Sequence, residues 1–202
     1  MPGWLWNDDF PRLRDSVERV LKLFGKSRSV RFVELGVAEG KTSIDLIHFI
    51  EEWYEKSDTV PFYTYIGVDA IVRFPNAANH PKYHHVDLPS HDAILKLPPD
   101  IHWCFIDSCH CFHCVTRDLE LYGDRLVPGG EICLHDASPQ TQGLDPQNYP
   151  GMDAYHDPVE AAKGIDVRRA IDAFMPRPDF RLIQAAPNAE RGGIEIYQKV
   201  NV

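Results

Sequence analysis

Asp107, His110, His135 and Asp136 are the residues of this chain best suited to acid–base chemistry. All four follow segments that read as buried strands: Ile101 to Asp107 leads into Ser108-Cys109-His110, and Gly130 to Leu134 leads into His135-Asp136. In α/β proteins ligands bind at the carboxyl ends of the strands. An imidazole with an unperturbed pKa near ~6.5 can take a hydroxyl proton at neutral pH. His110 is therefore the candidate base, and its structural alternative is a cap for the helix starting near Phe112. A second chemical element lies upstream. Glu34-Leu35-Gly36-Val37-Ala38-Glu39-Gly40 has the form acidic-x-Gly-x-x-x-Gly, placed between a β-branched run and a helical period. Glycine lets such a turn bend sharply and approach a ligand where a Cβ would collide. A dinucleotide fingerprint would instead read G-x-G-x-x-G.

Two further carboxylates end strand-like runs. Asp69 closes Phe62 to Val68, 29 residues after Gly40. An acid there can accept hydrogen bonds from both hydroxyls of a ribose, or it can simply cap the next loop. Asp87 closes Tyr83-His84-His85-Val86 and is equally suited to capping a helix from Ser90. The run Cys109-His110-Cys111-Phe112-His113-Cys114 invites a zinc reading. Structural zinc sites usually pair two separated knuckles, however, and only the lone Cys133 lies beyond this one. On a helix these side chains would point in several directions, so buried, hydrophobe-like thiols are expected.

Alternating elements must position these groups. Apolar residues at helical spacing predict a helix over 9–24, within an N-terminal helical region 1–26. Strands are predicted at 30–35, 62–69, 82–87, 101–107 and 130–136, and helices at 41–56, 90–96 and 112–125. This alternation implies parallel strands with crossover helices. The segment 137–157 contains Pro139, Gly143, Pro146, Pro150 and Gly151 and is too irregular for an element. Long loops of this kind are usually functional, so it is read as a substrate lid carrying Tyr149, Met152, Tyr155 and His156. A helix over 159–174, interrupted near Gly164, leads to strands at 180–184 and 194–198, which a glycine-containing loop joins as an antiparallel hairpin.

Together these motifs resemble class I S-adenosylmethionine-dependent methyltransferases. The glycine turn after Glu34 matches their first motif. Asp107-x-x-His110, Asp118, Leu126-Val127-Pro128-Gly129-Gly130 and His135-Asp136 resemble small O-methyltransferases related to macrolide and sugar enzymes and to cephalosporin-hydroxylase-type proteins. That group usually has Asp-Gly-Asp-His-Ser-Tyr where this chain has Asp107-Ser108-Cys109-His110-Cys111-Phe112, so the middle acid is missing. The resemblance implies a Rossmann-like α/β fold, with a mostly parallel seven-stranded sheet, a C-terminal antiparallel hairpin and helices on both faces. It implies S-adenosylmethionine binding by Glu34, Gly36, Val37, Gly40, Thr42, Ser43, Asp69, Ala70, Asp87 (toward adenine) and Asp107. It further implies a divalent metal, Mg²⁺ or Mn²⁺, at Asp107, His135 and Asp136, with Asp107 and His110 catalytic. The adjacent pair is usually Asp-Asp, Glu-Asp or Asp-Asn, and His135 in its place tilts the site toward Mn²⁺, Zn²⁺ or no metal.

Composition bounds the rest. The 202 residues suit a single domain with a substantial core. A formal charge of −9 disfavours nonspecific binding to nucleic-acid phosphates. No apolar run approaches the ~18 residues that span a bilayer, and Met1 to Asp9 lacks the basic and apolar regions of a secretory signal. Five cysteines, an odd number, argue against a closed disulfide framework. A cytoplasmic enzyme acting on a small hydroxylated molecule is expected, with a sugar, polyketide or catechol-like acceptor and a homodimer permitted. The alternative is a binding module that keeps the fold and the S-adenosylmethionine site without transferring a methyl group. A dinucleotide oxidoreductase is disfavoured by the glycine spacing and the terminal hairpin.

Overall fold

Strand residues in this chain are apolar on both sides, and the two sides differ in kind. In the computed structural model, which describes residues 9–26, 29–70, 77–143, 164–187 and 192–201, the strands are β1 (Val30–Leu35), β2 (Tyr63–Val68), β3 (Tyr83–Val86), β4 (Ile101–Ile106), β5 (Leu126–Leu134), β6 (Phe180–Gln184) and β7 (Glu195–Lys199). The helices are α1 (Asp9–Phe24), α2 (Lys41–Lys56), α3 (Ser90–Ala93), α4 (Phe112–Arg125) and α5 (Val167–Phe174). Phe32, Tyr63, Tyr65, Trp103 and Phe105 form an aromatic face under α1 and α2. Val33, Leu35, Ile66, Val68, Ile106, Ile132 and Leu134 form an aliphatic face under α4 and α5. The period-2 alternation of a strand produces this division, and burial of both faces is what a parallel sheet requires.

The sheet has seven strands in the order β3-β2-β1-β4-β5-β7-β6. β1 pairs in parallel with both β2 and β4, whereas β7 runs antiparallel to both β5 and β6. The expected mostly parallel sheet with its C-terminal antiparallel hairpin is borne out. Chain order reverses between β1 and β4, and a crevice at such a switch point is where open α/β sheets bind ligands. Staggered main-chain bonds carry the ladder into that crevice. Gly36 N donates to Val68 O (2.9 Å), Asp107 N to Leu35 O (2.9 Å) and His135 N to Ile106 O (3.0 Å). Residues distant in sequence thus emerge side by side.

Helix α1 docks through a buried polar contact that the hydrophobic pattern does not reveal. Arg19 Nε and Nη2 donate to Glu131 at 2.8 and 2.9 Å, Ser16 Oγ donates to Glu131 at 2.7 Å, and Trp103 Nε1 donates to Ser16 Oγ at 2.9 Å. At the other end, Arg168 on α5 forms a paired contact with Glu195 on β7.

Several expected boundaries shift. β5 starts at Leu126 rather than 130, because the Leu-x-Pro-Gly-Gly run is itself extended. A register irregularity between Ile101 and Trp103 absorbs its extra length. The segment from Ser90 divides into α3 and a 3-10 turn, Ile94–Lys96. The last helix begins at Val167: Gly164 has φ +82°, and Ile165 and Asp166 are not helical. Residues 159–163 lie outside the described residues, as do 144–157 of the expected lid with Tyr149, Met152, Tyr155 and His156. The flanks of that stretch meet, since Gly143 N donates to Ile165 O at 2.8 Å.

Gly36 explains how tightly the crevice is built. Its φ is +85°, and a Cβ there would lie 2.1 Å from the Asp107 carbonyl oxygen and 2.7 Å from Ser108 Cα. Gly143 also has positive φ (+76°), but among the described residues nothing lies within 4 Å of its Cβ position. Gly143→Ala should therefore cost only the left-handed penalty of about 1–2 kcal/mol. Gly36→Ala should add an overpacking term and cost roughly 3 kcal/mol or more. Urea unfolding of the two variants checks this, and equal costs would refute the close approach.

Candidate active site

The first half of the site is the glycine turn between β1 and α2. Glu34 is buried, and its Oε2 accepts from Ser43 Oγ (2.5 Å) and Tyr65 OH (2.7 Å), tying β1 to α2 and β2. Burial raises its pKa to about 7 despite those two donors, and the charges of Asp107 and Asp69 add to the rise. Ala38 and Gly40 adopt left-handed conformations, and Gly40 N donates to Val37 O at 2.8 Å. Asp69 reaches across from β2: its Oδ2 accepts from Val37 N (3.0 Å) and Ala38 N (2.8 Å). The acid expected at a ribose thus also holds the turn closed, a role the spacing alone does not disclose. Gly36 departs from its expected reason as well, since the atoms that forbid a Cβ there belong to Asp107 and Ser108.

The other expected cofactor residues surround the turn. Thr42 and Ser43 lie in the first turn of α2, Thr42 half-buried and Ser43 buried. Val37 is buried, Ala70 is half-buried just past Asp69, and Asp87 is exposed past the end of β3. Pro89, not Asp87, occupies the N-cap of α3, so the capping alternative for Asp87 does not hold.

The second half gathers Asp107, His110, His135 and Asp136. One ligand-type atom from each lies within 4.8 Å of all the others. His110 Nε2 is 3.3 Å from Asp107 Oδ1 and 3.1 Å from Asp136 Oδ2. His135 Nδ1 is 3.0 Å from Asp107 Oδ1 and 3.5 Å from Asp136 Oδ2. The N-cap of α4 is Cys111, so His110 is not the cap that the alternative reading proposed. Its ring turns inward and becomes a fourth member of the set, beside the three residues expected to hold a metal.

Asp136 is held in a left-handed conformation, φ +53°, which a non-glycine residue keeps only when its surroundings insist. They do: Gly192 N donates to its Oδ1 (3.1 Å), and Thr141 Oγ1 and Gln142 Nε2 donate to its carbonyl (2.8 and 3.0 Å). Asp9, the first residue of α1, supplies a contact that the sequence reading missed. Its Oδ2 accepts from Gly193 N and lies 3.4 Å from His135 Nε2, opposite the nitrogen that faces Asp107. A carboxylate behind a histidine fixes which nitrogen faces the site. The available signal was an acid at a helix start, which is too common to single out.

Electrostatics follow from this crowding. Burial disfavours charge on every member, yet the mutual attractions outweigh it. Asp107 and Asp136 are held below the usual carboxylate range by the two histidines, and Gly192 N–H also lowers Asp136. His110 is raised by its bond to Asp107 and by the charges of Asp136 and Asp107, and His135 is raised well above its ordinary value by the same acids.

A match to a family of methyltransferase domains covers residues 33–137, and the chain belongs to that family. The motif resemblance to class I S-adenosylmethionine-dependent methyltransferases is thereby borne out. No curated protein matches the chain in sequence. Among solved structures it is similar to the O-methyltransferase from Bacillus cereus in complex with SAH, at 13% identity and TM-score 0.65, covering 98% of this chain and 84% of that one. It is also similar to N-methyltransferase NodS from Bradyrhizobium japonicum (10% identity, TM-score 0.57, covering 98% and 100%). A third is MycE from the mycinamycin biosynthetic pathway, in complex with Mg, SAH and mycinamycin VI (14%, TM-score 0.55, 98% and 52%). At these identities the likeness concerns the fold.

The linked titration can be read in stability. The acids' contribution is present above their unfolded pKa near ~4 and is lost as pH falls through their lowered folded values. The histidines' contribution is complete below ~6.5 and is lost as pH rises through their raised folded values. In chelator, wild-type stability should fall as pH rises above ~6.5, and Asp136→Asn should flatten that fall. Melting temperatures across this range test it, and an identical slope in the variant would show that the histidines are not charged by these acids.

Proposed function

We propose that this methyltransferase transfers the methyl group of S-adenosylmethionine to a hydroxyl oxygen of a small acceptor, assisted by a divalent cation. One observation carries the reading: the main chain of Asp107 packs directly on Gly36. The glycine turn and the cluster of acids and histidines are therefore contiguous, as methyl donor and acceptor must be. S-adenosylmethionine, when bound, supplies a methyl group on a positively charged sulfur. Asp69 and the Gly36 to Gly40 turn bind and orient it, and Glu34 keeps that turn braced from below.

The donor set fits a metal. His135 Nδ1 and Asp136 Oδ2 are buried without a hydrogen bond of normal geometry, although each faces oppositely charged groups within 3.5 Å. Atoms so arranged aim at a shared centre rather than at one another. Asp107, His135 and Asp136 would hold the ion, and an imidazole beside two carboxylates favours Mn²⁺ or Zn²⁺ over Mg²⁺. A cation there would lower the pKa of an acceptor hydroxyl. His110, beside the ion and not on it, would receive that hydroxyl's proton.

The Bacillus cereus enzyme is an O-methyltransferase, and the MycE complex contains Mg together with a macrolide. The first supports oxygen as the acceptor, and the second a polyketide-type compound as its carrier; a sugar or catechol-like carrier rests on the motif resemblance. Retention of the fold without transfer would leave no reason for Asp107, His110 and Asp136 to converge. Small-molecule partners also agree with the net charge of −9.

Two measurements test the proposal. Calorimetry with S-adenosylhomocysteine should give clear binding, and Asp69→Asn should weaken it about tenfold, the equivalent of one hydrogen bond of ~1.4 kcal/mol. Asn keeps an acceptor for Val37 and Ala38, so the variant should melt near the wild type. Wild-type protein that binds neither form of the cofactor would sink the reading. For the metal, Mn²⁺ should bind more tightly than Mg²⁺ and restore methyl transfer after chelation, and Asp107→Asn or Asp136→Asn should weaken Mn²⁺ binding. Full activity after exhaustive chelation would leave the four residues as a metal-free hydrogen-bonding set.

A further inference from the structure

Three cysteines form a second cluster that methyl transfer does not use. The sulfurs of Cys109, Cys111 and Cys114 lie within 4.8 Å of one another, and those of Cys109 and Cys111 are 3.2 Å apart. The expectation that these residues diverge along a helix is overturned, and the reason is local. Cys111 is the N-cap of α4 and Cys114 its third residue, so the two share a face at spacing three. Cys109 is not helical; the turn before α4 folds its sulfur back over the other two. Cys109 and Cys111 are buried and Cys114 is half-buried, leaving one side within reach of solvent.

Asp118 continues the same face four residues beyond Cys114. It is 1% exposed, and its Oδ2 accepts from Ser108 Oγ at 3.0 Å. Its Oδ1 is buried and makes no hydrogen bond among the described residues. The carboxylate also acts electrostatically on Cys114.

We propose that Cys109, Cys111 and Cys114 form a separate site for a thiophilic cation of the Zn²⁺ type, with a water completing its coordination. Soft sulfur ligands select such ions over Mg²⁺ and Mn²⁺, which leaves those two to the cluster of carboxylates and imidazoles. A Zn–S bond of ~2.3 Å implies tetrahedral sulfur separations near ~3.8 Å. The cluster meets this with a small opening between Cys109 and Cys111. Three S–H bonds are exchanged for three S–metal bonds, three protons leave to solvent, and nothing is oxidised. A disulfide would use two of the sulfurs and leave the third unexplained. The bound ion would brace the turn that carries Asp107 and His110, a structural role beside the reaction.

Cobalt(II) titration of the reduced, chelator-stripped protein tests this directly. Thiolate-to-cobalt charge-transfer absorption arises only from sulfur ligands, so filling the carboxylate–imidazole cluster does not contribute to it. The band should saturate at one ion per chain and disappear on addition of Zn²⁺. It should be lost in Cys111→Ser and Cys114→Ser but kept in Cys133→Ser and in Asp136→Asn. Should the serine variants unfold, wild-type protein still decides the matter: Zn²⁺ should slow alkylation of the half-buried Cys114 by about tenfold or more, because coordination removes the free thiolate. Absence of the band in folded protein, or its survival in both serine variants, would overturn the site. Unchanged Cys114 alkylation with Zn²⁺ would do the same.

Discussion

The contact between Gly36 and the main chain of Asp107 is the constraint on which the rest of the site depends. It is set by the parallel pairing of β1 with β4, in which Leu35 lies opposite Ile106 and the next residue of each strand leaves the ladder. A side chain at position 36 would force the two strand ends apart. Without one, the glycine turn and the first acid of the polar cluster share a wall. Asp69 closes the turn from β2, and His135 enters from β5 through its own ladder bond to Ile106. The sheet works here as a ruler whose spacing aligns groups from four strands.

Such an arrangement concentrates charge where water is scarce. A half-buried and a buried acid beside two buried histidines attract one another, and the shifts in all four pKa values express that attraction. The same attraction works against a metal-free base, because acids that raise His110 favour its protonated form, which offers no lone pair. In the proposed function, a divalent cation drawing on the same carboxylates would relieve that conflict.

Much of this was legible in the chain. The acidic-x-Gly-x-x-x-Gly turn, the carboxylates at strand ends and the terminal hairpin are local patterns, and each fell where its spacing placed it. What stayed hidden was non-local. Glu131 reads as a solvent-facing strand residue until Arg19 and Ser16 of α1 are folded onto it. Asp9 reads as an ordinary helix start, although it stands behind His135 across 126 residues of sequence. The cysteines misled for a different reason: the zinc reading weighed all of 109–114 as if on a helix, although the helix expected from the periodicity, like α4, begins only at Phe112. Cys109 lies before it, and the turn there brings its sulfur onto those of Cys111 and Cys114.

The position of α1 gives the hidden contacts a common meaning. Ser16 and Arg19 fasten the helix to Glu131 in the middle of β5, and Asp9 at its start touches both Gly193 and His135 at the end of that strand. The helix thus runs along the strand that delivers His135 and Asp136. Its apolar residues Leu13, Val17, Val20 and Leu21 pack on the aromatic face of the sheet at the same time. Hydrophobic burial decides that α1 lies on this face, and it is tolerant of small slides along it. The bidentate Arg19–Glu131 pair is not tolerant, because its geometry is directional. Fixing the slide fixes Asp9, and Asp9 sets which nitrogen of His135 faces Asp107. A helix that reads in sequence as mere packing therefore governs the orientation of a residue in the cluster of acids and histidines.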